Sequence, residues 1–349
     1  MNKIRVGING YGVIGKRVAD AVELQPDMEL VGVADIATDW RIKSVADKLT
    51  LFASTTEAKN AMIAEGLHPI GTLDDLVEQS DIIIDSTPKH VAAGNIDLYR
   101  AAGKKSVFQG GESHELTGHS FVAQANYESA YGRDTTRVVS CNTTSIVRVL
   151  GALDNAGLLL RARGVLIRRA TDPWESHLGG IMNTMVPEPV IPSHQGPDAQ
   201  TVLPDLDLVT IAAKGAHTQT HNHYWTIQLT RESTRDEVLS ALRAAPRIAF
   251  IRMSDGLVAL NSTIELMRDL GRPRGDMWEV AVWEDLVTVQ GDEVFLTYQV
   301  YNEAIVVPET IDAIRALTRT APDAATSIQI TDSTLGILKD FVAPSAPAE

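Results

Sequence analysis

The 349-residue chain has a single cysteine, Cys141, no long apolar run and few basic residues relative to acidic ones. One cysteine excludes an internal disulfide. No apolar stretch approaches the ~18 to 20 residues that span a bilayer, and the first residues lead into a strand pattern rather than a signal peptide, so we expect a cytoplasmic protein. A net charge of −14 argues against nucleic acid or an anionic membrane as the main partner.

The composition is typical of folded proteins, with 44% hydrophobic and 22% charged residues. The length is sufficient for two domains with substantial cores. We therefore expect a small-molecule partner, for which a local basic pocket would suffice.

The N-terminal segment Ile4–Asn9 reads as a buried strand, and Gly-x-Gly-x-x-Gly follows it at Gly10–Gly15 before a helical run. In this setting the first glycine permits a tight turn and Gly12 lets backbone approach a pyrophosphate. Gly15 allows close helix packing, and the helix N-terminus attracts phosphate. The pattern predicts a dinucleotide site in preference to an ordinary Gly-rich turn.

A second predicted strand ends at Asp35, 20 residues beyond Gly15. An acid at this distance accepts hydrogen bonds from the adenosine ribose and repels the 2′-phosphate of NADP. NAD is therefore the predicted cofactor. Arg41 and Lys43 lie near enough in sequence to offer a counter-charge, which keeps NADP as the second choice; the simpler reading of Asp35 is a helix or turn cap.

The strand and helix patterns predict an α/β protein with two domains. In the first half, short apolar strands alternate with helices, which is typical of a Rossmann domain with a doubly wound parallel sheet. In the second half, strands predominate, which indicates an α+β catalytic domain with a largely antiparallel sheet. An amphipathic helix at residues 309–317 could pack back onto the first domain. We assign residues 1–140 to the nucleotide-binding domain, completed by the helical segment 303–349, and residues 141–302 to the catalytic domain.

Cys141 directly precedes an apolar helical pattern. A helix N-terminus favours thiolate over thiol, whereas a free cysteine is also a common core residue, so position alone leaves both readings open. His221 and His223 share one face of a predicted strand and offer a catalytic base, two structural histidines or two metal ligands. No further ligands are conspicuously placed, so no metal site is predicted.

Two further features could bind anions. Arg168 and Arg169 could hold a phosphate bidentately, or they could be a solvated surface pair. The polar loop at residues 192–198 leads into a predicted helix, and its backbone amides could cradle phosphate or simply cap that helix.

Several motifs in the same order resemble the archaeal-type (type II) glyceraldehyde-3-phosphate dehydrogenases. The similarity runs from about residue 3 to about residue 340 and covers nearly the whole chain. The matching segments are residues 6–12, 108–112, 140–144, 168–169, 178–187, 192–194 and 307–309.

The resemblance implies that Cys141 attacks the aldehyde carbon while His221 takes the thiol proton. Hydride then passes to the nicotinamide, and inorganic phosphate cleaves the thioester to 1,3-bisphosphoglycerate. The family also suggests a homotetramer. The family's substrate contacts map onto Ser140, Cys141, Asn142, His194 and Gln195, and its nucleotide contacts onto Val13, Ile14, Gly111, Arg169 and Asn302. The predicted substrate set also includes Thr143 and Arg168, and the predicted nucleotide set also includes Gly10, Gly12, Gly15 and Asp35 from the motif above.

The sequence departs from the family at a few positions. The family often has lysine where this chain has Asp35, which fits the NAD prediction. It commonly has histidine at Gln195 and glutamine at Asn302, and the region around His177 differs, so that residue receives no role. A related dehydrogenase acting on erythrose 4-phosphate or aspartate semialdehyde is the alternative; a non-catalytic nucleotide sensor is another, although it would need neither Cys141 nor His221.

Overall fold

The computed structural model describes residues 3–109, 111–174 and 184–342. The chain divides into two compact units. The first extends to Ser140 and includes Val307–Leu335, and the second is Cys141–Val306 together with the chain from Gly336 onward. Residues 303–306 and 336–342 thus belong to the second unit, whereas the predicted boundaries assigned them to the first. The role of each unit stays a prediction.

The N-terminal part of the first unit alternates short strands with helices. Most strand residues are buried, and the apolar segments at residues 51–53 and 82–84 are wholly so, which fits a sheet covered on both faces. The elements are β1 (Ile4–Asn9), α1 (Gly15–Glu23), β2 (Met28–Asp35), α2 (Trp40–Lys43), β3 (Leu51–Ala53), α3 (Thr56–Ala64), β4 (Gly71–Thr72), α4 (Leu73–Gln79), β5 (Ile82–Asp85), α5 (Ala92–Ala101), β6 (Lys105–Phe108), α6 (His114–Thr117), β7 (Ser120–Phe121), α7 (Ala123–Ala130) and β8 (Thr135–Val138).

These eight strands form one parallel sheet in the order β4-β3-β2-β1-β5-β6-β8-β7. The chain moves outward from β1 on one side and then starts again at β5 on the other. The order reverses between β1 and β5, and ligands of doubly wound sheets bind at such switch points. The Gly10–Gly15 turn follows β1 there. The predicted Rossmann-like sheet is confirmed.

The second unit contains a mixed eight-stranded sheet in which most neighbours are antiparallel, as predicted. Along the sheet the order is β10-β11-β9-β12-β16-β14-β13, and β15 pairs with β16; only β9 with β11 and β13 with β14 are parallel. Its elements are α8 (Cys141–Asn155), β9 (Leu159–Arg168), β10 (Val186–Pro187), α9 (Gln195–Gln200), β11 (Leu208–Lys214), β12 (His221–Leu229), α10 (Arg235–Ala244), β13 (Ile248–Ile251), α11 (Leu260–Asp269), β14 (Val280–Trp283), β15 (Thr288–Gln290) and β16 (Glu293–Val300).

Two C-terminal helices, α12 (Val306–Thr318) and α13 (Ala324–Leu335), return the chain to the first unit. The apolar face predicted for residues 309–317 is fully buried there. Arg315 on α12 is also fully buried, and its guanidinium binds both carboxylate oxygens of Asp27, at 2.7 and 2.8 Å. The unit is therefore built from the N-terminal part of the chain and a segment, Val307–Leu335, that lies close to the C-terminus.

Across the described ranges, none of the helices combines the length and the apolar character needed to cross a membrane.

Candidate active site

Cys141 is the first residue of α8. It lies three residues after the end of β8, which is the last strand that the chain contributes to the parallel sheet. Ser140, a residue type favoured at helix starts, precedes it. The helix forms because apolar residues recur at helical spacing, and Ile146, Val149 and Leu150 are fully buried. Cys141 itself is half-buried, and the backbone amides of the first turn lie at its sulfur.

His221, the first residue of β12, places Nε2 3.4 Å from the sulfur of Cys141. Its other ring nitrogen, Nδ1, accepts a hydrogen bond from the backbone N–H of Arg169 at 3.0 Å. A neutral imidazole carries one proton, so this contact assigns the proton to Nε2. In this geometry His221 donates toward Cys141, and the proton-accepting role expected from the sequence would require Nδ1–H to face the amide N–H of Arg169.

The electrostatics of the pair favour its neutral form. Desolvation raises the pKa of the Cys141 thiol above its ordinary value, although Arg169, Arg168 and the helix amides act in the opposite direction. Burial and the charge of Arg169 lower the pKa of His221 well below its ordinary value. The thiolate preference expected at a helix N-terminus is therefore outweighed by burial.

His223 lies two residues further along β12, on the same side of the strand as His221. It is fully buried, with Nε2 2.8 Å from Oδ1 of Asn142 and Nδ1 2.9 Å from the hydroxyl of Tyr298. Thr143, the next residue of the predicted substrate set, donates its hydroxyl to Asp198 at 2.7 Å. Asp198 thus supports the first turn of α8.

The two predicted anion-binding arginines lie at the end of β9, and each is paired with a carboxylate. Arg168 binds Glu188, and Arg169 contacts Asp172 at 2.5 Å. The Nε atoms of both arginines are buried and have no hydrogen-bond partner among the described residues. Each guanidinium therefore keeps donor capacity for an anion.

Gln195 begins α9 and is fully buried, yet neither its amide oxygen nor its amide nitrogen has a partner in the described ranges. An amide in this state costs free energy unless a ligand or water satisfies it. His194, immediately before it, is exposed. The buried amide fits a polar substrate group.

The Gly10–Gly15 turn has the steric properties of a pyrophosphate loop. Gly10 has φ of +94°, and a Cβ on Gly15 would lie 1.9 Å from the carbonyl oxygen of Gly10, so neither position accepts a side chain. At Gly12 no described atom lies within 4 Å of an added Cβ. The backbone there is open to an approaching ligand, while Val13 and Ile14 lead into α1.

Asp35 at the end of β2 binds the loop directly. One carboxylate oxygen accepts from the N–H of Tyr11 at 2.6 Å, and the other accepts from the amides of Ile36 and Ala37. The acid therefore does cap a turn, which was the simpler reading from the sequence. It also carries its charge next to the Gly-rich turn, where a ribose would bind.

The remaining predicted nucleotide contacts lie in both units. Gly111 follows β6 in the first unit, close to Lys89. In the second unit, Asn302 accepts from the N–H of Thr220 at 3.1 Å, and its buried Nδ2 has no partner among described residues. That unpartnered donor fits a carboxamide-bearing group such as nicotinamide.

Sequence reasoning missed the acids that hold the arginines, Glu188 and Asp172, and the hydroxyl partner of His223, Tyr298. Glu188 lies 20 residues from Arg168 and leaves no short-range signal, whereas Asp172 is only three residues from Arg169 and could have been found from that spacing. Tyr298 could have been found only by aligning β16 against β12, where it stands directly opposite His223. His177 lies outside the described residues, and within the described ranges no group of three or more His, Cys, Asp or Glu side chains could hold a metal.

The fold and the site define an NAD(P)-dependent oxidoreductase that acts on an aldehyde. The model of the glyceraldehyde 3-phosphate dehydrogenase C-terminal domain matches residues 140–285, and that of the dihydrodipicolinate reductase N-terminus matches residues 4–117.

Curated archaeal relatives match over almost the full length. Proteins named glyceraldehyde-3-phosphate dehydrogenase from Methanococcoides burtonii, Pyrobaculum calidifontis and Hyperthermus butylicus are 44%, 45% and 43% identical to it. Each alignment covers 97% of this chain and 98 to 100% of the relative. The chain belongs to the archaeal-type glyceraldehyde-3-phosphate dehydrogenase family.

Proposed function

We propose that the chain is a phosphorylating dehydrogenase that oxidises D-glyceraldehyde 3-phosphate to 1,3-bisphosphoglycerate in the cytoplasm. The observation that carries the proposal is the contact of Cys141 with His221 at the start of α8. The thiol lies among helix amides, and the imidazole is oriented by the backbone of Arg169. A nucleophile and an oriented histidine are the parts that acyl chemistry on sulfur requires.

The reaction can be written from these atoms. The Cys141 thiol loses its proton to solvent, and the thiolate attacks the aldehyde carbon, so that a C–S bond forms and the carbonyl electrons move to oxygen. Nε2–H of His221 donates to the sulfur and then to the new oxyanion. A nicotinamide, when bound, would accept the hydride: the C–H bond of the former aldehyde breaks as the oxyanion re-forms its carbonyl, which leaves a thioester on Cys141. Inorganic phosphate then attacks that carbon and releases the Cys141 thiolate.

The phosphate of the substrate and the nucleotide are both anions, and the end of β9 offers one arginine to each. Arg168 and Arg169 stand beside the cysteine closely enough for their charges to lower its pKa, against the larger effect of burial. We assign Arg168 and the buried amide of Gln195 to phosphate binding, with Ser140, Asn142, Thr143 and His194 as the other substrate contacts. Arg169 and Asn302 are assigned to the nucleotide.

NAD is the proposed cofactor in preference to NADP. Asp35 places a carboxylate beside the Gly-rich turn. Arg41 and Lys43, the two cations close to Asp35 in sequence, each already pair with a carboxylate, Arg41 with Asp39 at 2.7 Å and Lys43 with Glu65 at 2.8 Å. Replacing Asp35 with Asn removes the charge, but its single amide oxygen can accept from the Tyr11 N–H or from the amides of Ile36 and Ala37, not from both. The variant should lower the NAD-to-NADP ratio of kcat/KM about tenfold, and its melting temperature measures the stability lost at the unmatched amide.

The test is the formation of reduced cofactor with glyceraldehyde 3-phosphate, with and without inorganic phosphate and with each nucleotide. We expect phosphate-dependent turnover that Cys141→Ala abolishes. Erythrose 4-phosphate and aspartate semialdehyde serve as competing substrates, and a higher kcat/KM with either would replace the proposed one. Nucleotide binding without turnover on any aldehyde would indicate a sensor.

A further inference from the structure

His223 is the middle member of a buried hydrogen-bonded chain that ends at the residue next to the reactive cysteine. Tyr298 on β16 contacts Nδ1 of His223, and Nε2 of His223 contacts Oδ1 of Asn142. His223 and Tyr298 are fully buried, and Asn142 is almost so. The rings of His223 and Tyr298 also pack together, with centroids 4.8 Å apart.

The direction of this path follows from the chemistry of its ends. An amide oxygen only accepts, so Nε2 of His223 must carry the proton it shares with Asn142. Burial and the charge of Arg168 lower the pKa of His223 to about 3, so the ring is neutral and has one proton to give. Nδ1 is then an acceptor, and the Tyr298 hydroxyl donates to it. The Asn142 amide is thereby fixed with Nδ2 turned away from His223.

We propose that His223 and Tyr298 are positioning residues that present Nδ2 of Asn142 as a hydrogen-bond donor to the substrate oxygen activated at Cys141. The inference rests on the proposed function. An unrestrained asparagine amide can rotate by about 180° and exchange its two ends at little cost. The wrong end would set a carbonyl oxygen against a developing oxyanion, which is repulsive, so fixing the amide contributes to transition-state binding.

The simpler explanation is that His223 is a buried polar residue whose nitrogens happen to be satisfied. The two explanations differ in which contact matters. If His223 is structural, its contacts with Tyr298 and Asn142 are of similar value, and their loss changes stability. If it positions Asn142, the Nε2 contact sustains turnover directly, and the Tyr298 hydroxyl acts only by holding the tautomer that carries the proton at Nε2.

A pair of isosteric variants separates the two contacts. His223→Gln places an amide nitrogen near the position of Nε2 and keeps the donor to Asn142. His223→Asn places its amide near Nδ1, keeps the contact to Tyr298 and loses Asn142. We expect His223→Asn to lower kcat by about 10- to 100-fold with little change in KM for the aldehyde, because removal of a whole oxyanion donor costs ~10²- to 10³-fold. His223→Gln should retain most of kcat.

Three further measurements complete the experiment. In the Asn142→Ala background, His223→Asn should cause no additional loss, since the positioned group is gone. Tyr298→Phe keeps the packing of the ring and removes the donor that holds the His223 proton at Nε2, and should lower kcat about tenfold. The amide of His223→Gln carries its N–H without that donor, which is why it should retain more activity than Tyr298→Phe. The rate at which iodoacetamide labels Cys141 should stay at the wild-type value in the variants, which also reports that the site is folded.

Wild-type kcat in both His223→Asn and Tyr298→Phe would overturn the inference, as would equal losses in His223→Gln and His223→Asn or an additive loss in the Asn142→Ala background. If the wild-type enzyme turned over none of the three aldehydes, the proposed function would fail and this inference with it. Turnover by the wild type with unaffected variants rejects the positioning role alone.

Discussion

His221 is held between a sulfur and a backbone amide, and this determines what it can do for the cysteine. The Arg169 N–H occupies Nδ1, so the ring of the resting enzyme donates at Nε2. Forming an imidazolium would set two N–H groups against each other at Nδ1, in a site where the charge of Arg169 already opposes it. Nucleophile activation then depends on the pH of the solvent rather than on a thiolate–imidazolium pair.

We predict that His221→Gln, which keeps an N–H donor near the position of Nε2, retains kcat within about tenfold of the wild type. His221→Ala should lose about 10²- to 10³-fold. Because desolvation raises the pKa of Cys141, the thiolate fraction should grow as pH rises, and kcat/KM should climb through neutral pH and on past about pH 9. Measured pH profiles of the three enzymes check both points.

The exposed His68 provides a matched control, and His68→Gln should behave as the wild type. A large loss in His221→Gln, equal to that in His221→Ala, would restore the general-base role. A plateau of kcat/KM that begins below about pH 7 would show that the thiolate forms early and that burial is not dominant.

At this scale the sequence patterns predict the element and face on which each side chain lies, and the family resemblance pairs Cys141 with His221, but neither predicts how they are protonated. The apolar spacing after Cys141 and the alternation of His221 and His223 were sufficient to place these side chains on a helix start and on one strand face. The tautomer of His221 depends on the backbone of Arg169, 52 residues away, and that contact is set by the register of β12 against β9. No local pattern encodes it.

At the scale of the elements, the β1–α1 turn contains two glycines that are required for different reasons, one for packing and one for ligand access. A side chain at Gly15 would strike the carbonyl oxygen of Gly10, whereas one at Gly12 would enter open space. We predict that Gly15→Ala destabilises the protein and that Gly12→Ala folds normally but weakens NAD binding by at least about tenfold, since its methyl group would occupy the approach of the pyrophosphate. Thermal melting and fluorescence titration with NAD make the comparison.

The reverse pattern would contradict this assignment of roles. If Gly12→Ala bound NAD as tightly as the wild type, the ligand would not approach the backbone at that point. A wild-type melting temperature in Gly15→Ala would mean that α1 can shift away from β1 without cost.

The helix α12 is fixed to the first unit by a buried charge, and we predict a large penalty for its removal. Arg315 is fully buried and pairs with Asp27. Arg315→Ala leaves the partners of the guanidinium unsatisfied and should cost about 3–5 kcal/mol of unfolding free energy. The exposed pair of Arg5 with Asp81, in the same unit, gives the control; Arg5→Ala should cost at most about 1 kcal/mol.

Urea denaturation followed by circular dichroism measures both variants. Equal, small losses would show that α12 contributes little to the first unit, and an unchanged midpoint in Arg315→Ala would remove the argument that the C-terminal helices complete it.

Long periodic segments were predictable at the element scale, and very short ones were not. The apolar residues of β1, β5, α8 and α12 form runs or regular spacings that identify these elements from the sequence. Strands β4 and β7 are two residues each and exist only because a neighbouring strand offers hydrogen bonds. Such short edge strands are determined by the neighbouring strand, and their own residues show no pattern that predicts them.

For the whole molecule, the order of the motifs predicts two units. The residue at which the chain re-enters the first unit is known only from the structure. The amphipathic helix predicted at residues 309–317 indicates the return, but the break at 306/307 depends on contacts between segments far apart in sequence. The chain after Leu335 then leaves the first unit again. Bridging contacts of this kind, such as the pairing of Phe250 with Asp340, are invisible in a linear pattern.

One face of the second unit's sheet exposes a row of apolar side chains. Tyr224, Val165 and Ile211 stand directly opposite one another on β12, β9 and β11, and each is between 43 and 51% exposed. An apolar row across three strands is typical of an interaction surface. We propose that copies of the chain pair through it, and that it is one of the interfaces of the homotetramer that the family suggests.

Sedimentation equilibrium should give four chain masses for the wild type, and Val165→Glu should yield smaller assemblies, because a carboxylate in this row would be desolvated against apolar side chains. Ile63 on α3, exposed on the first unit, supplies the matched control, and Ile63→Glu should leave the mass unchanged. A wild-type monomer at micromolar concentration would reject the assembly. A tetramer that survives Val165→Glu would place the interface on another face, since an apolar contact broken at its centre by a charge cannot retain full affinity.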